Sequence, residues 1–203
     1  MTFLKYAIST TLISLLSACA STPAPDNTLA QNIPWEKRSQ MLQKFQNWKL
    51  TGSASININN NTTLIRLNSW QQCGKNNYNI TVSNLAGIGS ETIVGTKNKV
   101  TLNKKSAPTP ELLMQEQLGY SLPVNNLYFW IRGLPAPSVR SKIYFDPYHH
   151  IKHLTQENWE IQYLQYTQFN NTDLPSLIEL KNTEEHIQLR MAISSWGLPQ
   201  CTG

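Results

Sequence analysis

The stretch Tyr78-Asn79-Ile80-Thr81-Val82-Ser83-Asn84-Leu85-Ala86-Gly87-Ile88-Gly89-Ser90-Glu91-Thr92-Ile93-Val94 holds two strand-like runs with an unusual connection between them. In the first run Tyr78, Ile80 and Val82 alternate with Asn79, Thr81 and Ser83, the period of two of a half-buried strand. Loops between strands are normally polar, because water satisfies their backbone groups. This one offers Leu85, Ala86 and Ile88 on a backbone loosened by Gly87 and Gly89. Either these side chains fold back onto the core, or the loop projects and holds apolar groups in solvent. The N-terminus of the chain weighs toward projection.

Upstream of the hairpin the same period of two recurs. Trp48, Leu50, Gly52, Ala54, Ile56 and Ile58 share one face, and Lys49, Thr51, Ser53, Ser55 and Asn57 the other. Gly52 and Ala54 are small, so that face is expected to leave room for something bulky opposite. Asn59-Asn60-Asn61 is a turn cluster, residues 63–70 return, and Gly74-Lys75-Asn76-Asn77 leads into the hairpin. A short strand follows at 99–102, with a basic turn at Lys104 and Lys105. Further strands are expected at 142–145, 151–156, 159–166, 175–181 (opened by Pro175) and 186–196.

Helical signals interrupt this pattern. Residues 34–46 place Trp35, Arg38, Met41, Leu42 and Phe45 at helical spacing after Pro34. Thr109-Pro110-Glu111 is an N-cap, a first-turn proline and a first-turn acid, and Gly119 closes that helix. Pro123 opens another, with Val124, Leu127, Tyr128 and Ile131 on one face and Gly133 at its end. Two short helices in a β chain would serve as a plug or lid over the open end of a sheet. About ten strands at hairpin-like spacing predict a closed or nearly closed antiparallel sheet.

The first 18 residues read as a secretory signal: Lys5 gives the positive start, and residues 6–16 form an apolar run too short to span a bilayer. Leu16-Ser17-Ala18-Cys19 resembles the bacterial lipobox, in which the cysteine becomes the lipid-modified first residue. Ala20 then favours outer-membrane sorting. Residues 19–33 carry Pro, Ser, Thr, Ala, Asn and Gln without apolar periodicity, a flexible tether on which the folded domain of 34–203 is leashed to a membrane.

Several landmarks occur together: the lipobox, Trp48-Lys49-Leu50-Thr51-Gly52, Trp70-Gln71-Gln72 and the apolar hairpin tip. After them come Leu118-Gly119-Tyr120-Ser121-Leu122-Pro123-Val124, Tyr128-Phe129-Trp130-Ile131-Arg132-Gly133-Leu134-Pro135 and Asn158-Trp159-Glu160-Ile161-Gln162-Tyr163. In this order they resemble the LolB family of outer-membrane lipoprotein receptors, over nearly the whole mature chain. The resemblance implies a single-domain, LolA/LolB-like antiparallel β-barrel of about 10–11 strands, incompletely closed and covered by short helices. It implies an apolar cavity for acyl chains, acceptance of lipoproteins from the periplasmic carrier LolA, and their release into the outer membrane through an exposed apolar side chain on a loop. The matching loop is 84–90. Relatives commonly read Pro-Leu-Gly where this chain has Leu85-Ala86-Gly87, so Ala86 takes the family leucine's register and either Leu85 or Ile88 takes its role.

The physics suits that cargo. Each buried methylene is worth about 0.8 kcal/mol, so three acyl chains amount to something on the order of tens of kcal/mol and cannot cross water bare. Trp48, Leu50, Trp70, Tyr78, Ile80, Val82, Tyr163, Leu189 and Met191 are the candidates for an acyl-chain cavity, and also for an ordinary core. Burying Leu85 and Ile88 in lipid would gain about 1.5–3 kcal/mol each, enough for a reversible touch on outer-membrane phospholipid. Removing Lys5 with the signal takes the net charge from +5 to +4, which suits an acidic carrier or anionic headgroups. Lys97, Lys99, Lys104 and Lys105 lie near the hairpin without any base-reading motif, so no nucleic acid partner is expected. A monomer without cofactor or metal is expected.

Cys73 and Cys201 remain after Cys19, and the sequence leaves open whether they meet. His149, His150 and His153 with Asp146 have the composition of a metal site, yet alternate residues on a strand diverge, and solvated turn histidines are expected instead. No nucleophile elbow, His-Glu-x-x-His helix or phosphate loop is present, so no enzyme is expected. The rival reading is an outer-membrane lipoprotein that scaffolds protein assembly.

Overall fold

The computed structural model describes residues 32–201 apart from Tyr120 and Ser138, with the Leu118 side chain also outside the description. The signal, Cys19 and all but the end of the tether lie outside the described residues. Among those described, eleven strands form one antiparallel sheet in the order β6-β5-β4-β3-β2-β1-β11-β10-β9-β8-β7, with three helices against it. The central strands are β1 (Asn47–Ile58), β2 (Asn61–Cys73), β3 (Asn77–Asn84) and β4 (Glu91–Gly95). β5 (Val100–Leu102) and β6 (Lys105–Ala107) finish one side; β7 (Ser141–Phe145), β8 (Ile151–Gln156), β9 (Trp159–Phe169), β10 (Thr172–Asn182) and β11 (Ile187–Gly197) form the other. β6 and β7 are edges and do not pair with each other, so the barrel stays open.

The long hairpins are set locally. Asn59 and Asn60 between β1 and β2, and Asn170 and Asn171 between β9 and β10, all have positive φ. Two-residue turns of that hand match the twist of the strands they join. Lys105 begins β6 rather than completing a basic turn. Pro175 does not open a strand but sits inside β10 at a register shift against β9, where its missing N–H is tolerated. Gly52 also departs from expectation: a Cβ there would lie 2.1 Å from the Ala192 carbonyl oxygen. It permits backbone approach at a bulge, not a bulky neighbour.

α1 (Trp35–Lys44) buries Arg38 and Leu42 and leads into β1. α2 (Pro110–Leu118) starts where Thr109 Oγ1 accepts from Leu112 N and ends at left-handed Gly119, as its sequence requires. α3 (Val124–Trp130) buries Leu127, Tyr128 and Trp130. Its continuation explains the dense Trp-Ile-Arg-Gly-Leu-Pro run. Arg132 donates to the carbonyls of Tyr128 (3.0 Å), Leu42 (3.0 Å) and Phe45 (2.8 Å), capping the ends of α1 and α3 together. Its guanidinium also lies 4.0 Å from the centre of the Tyr128 ring. Gln156 accepts from Trp130 Nε1 and Ala136 N and donates to Ala136 O, fastening this segment to β8.

The registers define two ends of the sheet. One holds the β3–β4 loop with the β1–β2 and β10–β11 turns; the other holds the start of β1, the β7–β8 turn and α1. At the second end Trp48 packs 5.4 Å from Trp70 and 5.7 Å from Trp196, ring centre to ring centre. Cys73, at the end of β2, is joined there to Cys201 by a disulfide with a Cα–Cα distance of 5.7 Å.

Candidate functional site

The connection between β3 and β4 projects. Every residue from Asn84 to Glu91 is exposed, with Ile88 at 70% and Leu85 at 47%. The loop is nevertheless built. Asn84 Oδ1 accepts from Ile88 N and Asn84 O from Gly87 N, both at 2.9 Å, while Arg66 Nη2 donates to Leu85 O at 3.0 Å. Gly87 and Gly89 take φ of 79° and 71°, a conformation that side chains with a Cβ adopt only under strain. Backbone hydrogen bonds are thus spent inside the turn, and the apolar side chains are left outside it.

Behind the loop the barrel is hollow. A cavity of about 290 Å³ is walled by Ala54 and Ile56 of β1, Thr63, Ile65, Leu67 and Trp70 of β2, and Tyr78, Ile80 and Val82 of β3. Glu91 and Ile93 of β4, Val100 and Leu102 of β5, and Leu189 and Met191 of β11 complete the wall. Pro110, Leu113 and Met114 of α2 with Leu122, Val124 and Leu127 form the roof. The lining is almost wholly apolar. Val82 and Glu91, which pair across the hairpin, both line it, so the cavity reaches the base of the projecting loop.

Six of the nine cavity candidates surround this space: Trp70, Tyr78, Ile80, Val82, Leu189 and Met191. Trp48, Leu50 and Tyr163 do not; they are buried in the filled part, where Tyr163 Oη donates to Trp130 O at 2.8 Å. Inward faces line both the filled and the hollow region, so the nine candidates came from both. Ala54, small and inward by its alternation, does line the space, and the helices expected as a lid supply its roof. The nine candidates omit the individual roof residues and Ile56, Thr63, Ile65 and Leu67. Ala54 and Thr63 sit where larger side chains would have closed the space.

The cavity has one awkward polar group. Tyr78 Oη is buried with no hydrogen-bond partner among the described residues, and burial, reinforced by the Glu111 carboxylate of α2, pushes its phenol well above the usual range. The Tyr78 ring lies so close to Gly95 that a Cβ there would meet it at 2.0 Å.

The histidines divide. His149 is exposed and His153 half-buried, but His150 is 2% exposed and is not a solvated turn residue. Its Nδ1 is 2.9 Å from Asp146 Oδ2 and its Nε2 2.9 Å from Asp173 Oδ2, while Arg38 Nη1 donates to the same Asp173 oxygen at 3.0 Å. Burial alone would raise the Asp173 carboxyl; hydrogen bonds from His150 and Arg38 outweigh it and hold it below the usual carboxylate range. Asp173 is at the start of β10, far along the chain, so local spacing gave no sign of it. Among the described residues no group of three or more His, Cys, Asp or Glu is arranged to hold a metal. Lys97 and Lys99 precede β5 and Lys104 and Lys105 follow it, all exposed, so they are split between its two ends.

The family model described as "Outer membrane lipoprotein LolB" matches residues 46–196. The chain belongs to the LolB family. It is 35% identical to the outer-membrane lipoprotein LolB of Coxiella burnetii (strain RSA 493 / Nine Mile phase I) over 95% of this chain and 93% of that protein. Its identity to the LolB of Pseudomonas fluorescens (strain Pf0-1) is 31%, over 96% of both chains. Among solved structures, a LolA superfamily protein from Nitrosomonas europaea superposes with a TM-score of 0.55 at 6% identity, covering 84% of this chain and 96% of that one. That likeness concerns the fold, an open antiparallel sheet with helices against it. LolB membership makes the chain an outer-membrane lipoprotein of the Lol transport pathway, in a family of transport factors rather than of enzymes. No helix of the described residues is long and apolar enough to cross a membrane.

Proposed function

We propose that this protein, cleaved after residue 18 and acylated on Cys19, takes lipoproteins from the carrier LolA as a monomer, shelters their acyl chains in the cavity and releases them into the outer membrane through the Leu85–Ile88 loop. The observation that carries this reading is continuity. An apolar cavity ends at the paired Val82 and Glu91, and the next residues along the chain are the exposed apolar loop. A tail leaving the cavity at that end meets a side chain already suited to lipid. Ile88, the more exposed of the two, is assigned the leading contact and Leu85 the supporting one. Ala86 contributes little area.

Size supports the roof as the moving part. About 290 Å³ falls at the small end of the roughly 300–1,000 Å³ of ligand pockets, too little for several long chains. α2 packs on the short β5 and β6 and presents Met114 inward, a flexible side chain that adapts to irregular ligands. Lifting α2 enlarges the cavity without disturbing β8–β11. No energy source is needed if each transfer runs to a more favourable apolar site, ending in the bilayer.

The test incubates the mature chain with a LolA–lipoprotein complex and phospholipid vesicles and follows the cargo. The expected result is passage through this protein to the vesicles, with Ile88→Glu accepting cargo but retaining it and Leu85→Glu delaying it less. Normal delivery by both variants removes the loop from the mechanism. Failure of fatty acids to displace an apolar fluorescent probe removes the cavity and returns the protein to a scaffolding role.

A further inference from the structure

A second exposed apolar surface lies at the other end of the molecule. Tyr144, Phe145 and Tyr148 are 50%, 41% and 45% exposed, three large side chains at the end of edge strand β7 and on its turn. Tyr144 and Phe145 are on opposite faces of the strand, so that both flank its tip. The Trp35 ring of α1 lies 5.3 Å from that of Phe145 and extends this surface onto the helix.

The surface is held rigidly. Asp146 Oδ1 accepts from the backbone N–H of both Tyr148 and His150 at 2.9 Å, and Arg38 Nη2 reaches from α1 to Tyr148 O at 3.2 Å. The buried His150–Asp173–Arg38 cluster lies beneath the turn. The fold therefore holds Tyr148 on a fixed turn, beside Tyr144 and Phe145 at the end of a hydrogen-bonded strand. Exposed Lys37, Lys142 and Lys152 occupy the same elements, with Lys142 Nζ 5.4 Å from the Tyr144 ring; Glu36 is the exposed acid among them. Aromatic rings with a polar edge, flanked by lysines, have the composition that settles at the boundary between headgroups and acyl chains.

What covers this surface follows from where the chain outside it leads. The polypeptide enters the fold at Pro34 and Trp35, directly beside Phe145, and 14 residues from Ala20 to Ile33 separate that point from Cys19. We infer that Trp35, Tyr144, Phe145 and Tyr148 form a second lipid-binding surface, resting on the phospholipid headgroups around the protein's own anchor. This rests on Cys19 being the acylated residue.

The two lipid contacts lie at opposite ends of the strands. β1 has 12 residues and so runs about 40 Å at roughly 3.3 Å per residue. The 14 residues of tether span at most about 50 Å when fully drawn out. A molecule resting on its aromatic end needs little of that length. One turned to bring Ile88 to the membrane needs most of it. The aromatic surface is then the resting contact and the loop the delivery contact, with a reversal between them.

The test uses the tryptophan distribution. Trp48, Trp70, Trp130, Trp159 and Trp196 are all buried, which leaves Trp35 as the reporter. The full mature chain is placed in phosphatidylethanolamine–phosphatidylglycerol vesicles whose acyl chains are brominated near the headgroup. Bromine is expected to quench a fluorescence component that is absent in Trp35→Phe and falls severalfold in the Phe145→Ser/Tyr148→Ser double variant, whose folding is checked by Tm. Ile88→Glu should leave it unchanged. Unquenched Trp35 in the anchored, folded protein overturns the proposal, as does protection of Trp35 by LolA in place of lipid. Partition of the intact chain into the water phase of a detergent extraction shows instead that the anchor reading has failed. Excess vesicles with the Cys19→Ser chain then decide the aromatic surface alone, by the presence or absence of the same quenching.

Discussion

The filled and hollow regions of this sheet come from the same kind of strand, alternating apolar and polar residues, and end with opposite interiors. In the filled region large rings meet from several elements: Trp130 lies 5.9 Å from Trp159, and Trp48 packs between Trp70 and Trp196. Polar side chains then lock the layer, Gln156 to the segment after α3 and Arg132 to the ends of two helices. In the hollow region Trp70, Tyr78, Leu67 and Met191 also turn inward, but Ala54, Thr63 and Val82 stand among them, under a roof that contributes Leu113 and Met114. These volumes are too small for the space that the strands enclose. Protein interiors pack to the density of organic crystals, and the hollow region departs from that density where the filled region keeps it.

The comparison breaks most visibly at the disulfide, which ties the end of β2, a wall of the cavity, to the C-terminal segment beyond β11. Its sequence separation of 128 residues makes reduction, or Cys73→Ser/Cys201→Ser, cost about 4–5 kcal/mol in the chain-entropy account. Urea unfolding with and without reductant measures it. A loss near zero would mean that the two regions need no tie.

Leucine truncation sharpens the contrast. Leu154→Ala, in the filled region where Leu154 is fully buried, is expected to lose about 3–5 kcal/mol, because it pays both transfer and a new cavity. Leu189→Ala lines a cavity that already exists and is expected to lose only the transfer part, about 2 kcal/mol. Equal losses would mean that the hollow region is filled in solution.

Acid separates the regions differently. Asp173 has a lowered pKa in the folded state, so its contribution is fully present above the unfolded value of 3.8 and is lost as pH falls through the lower folded one. The expected consequence is loosening of α1 from β10 below that pH, read as a change in Trp35 fluorescence, before the cavity side responds. Asp173→Asn should abolish this acid step.

The smallest change in stability comes from filling the gap. Ala54→Leu points into the cavity and should alter stability by less than about 1 kcal/mol, while weakening fatty-acid binding about tenfold. Probe displacement checks the second half. Unchanged binding would place the ligand elsewhere.

Much of this was legible in the chain. The Asn59-Asn60 turn, the Thr109 cap with Pro110 and the closing Gly119 are local devices, legible in the residues themselves. The tight Asn170-Asn171 turn was not, the strands beside it being expected to stop at 166 and resume at 175. The apolar composition of the β3–β4 loop was readable too, but its residues left open whether it projects, which the Asn84 side chain, Gly87, Gly89 and Arg66 decide in the fold. His150 was not readable. Its two carboxylate partners are 4 and 23 residues away, and the second comes from a strand that only the fold brings alongside.

By itself, then, the sequence determined the alternation, the turns, the helix limits and the apolar tip, since each depends on groups a few residues apart. The tertiary structure alone decided that Cys73 meets Cys201, that Trp48, Leu50 and Tyr163 fill space while Trp70, Ile80 and Met191 border it, and that the chain enters the fold at α1 at the end opposite the β3–β4 loop. The physical reason is volume. Periodicity says which side chains turn inward, but whether they close the interior depends on the sizes of partners that lie far apart along the chain.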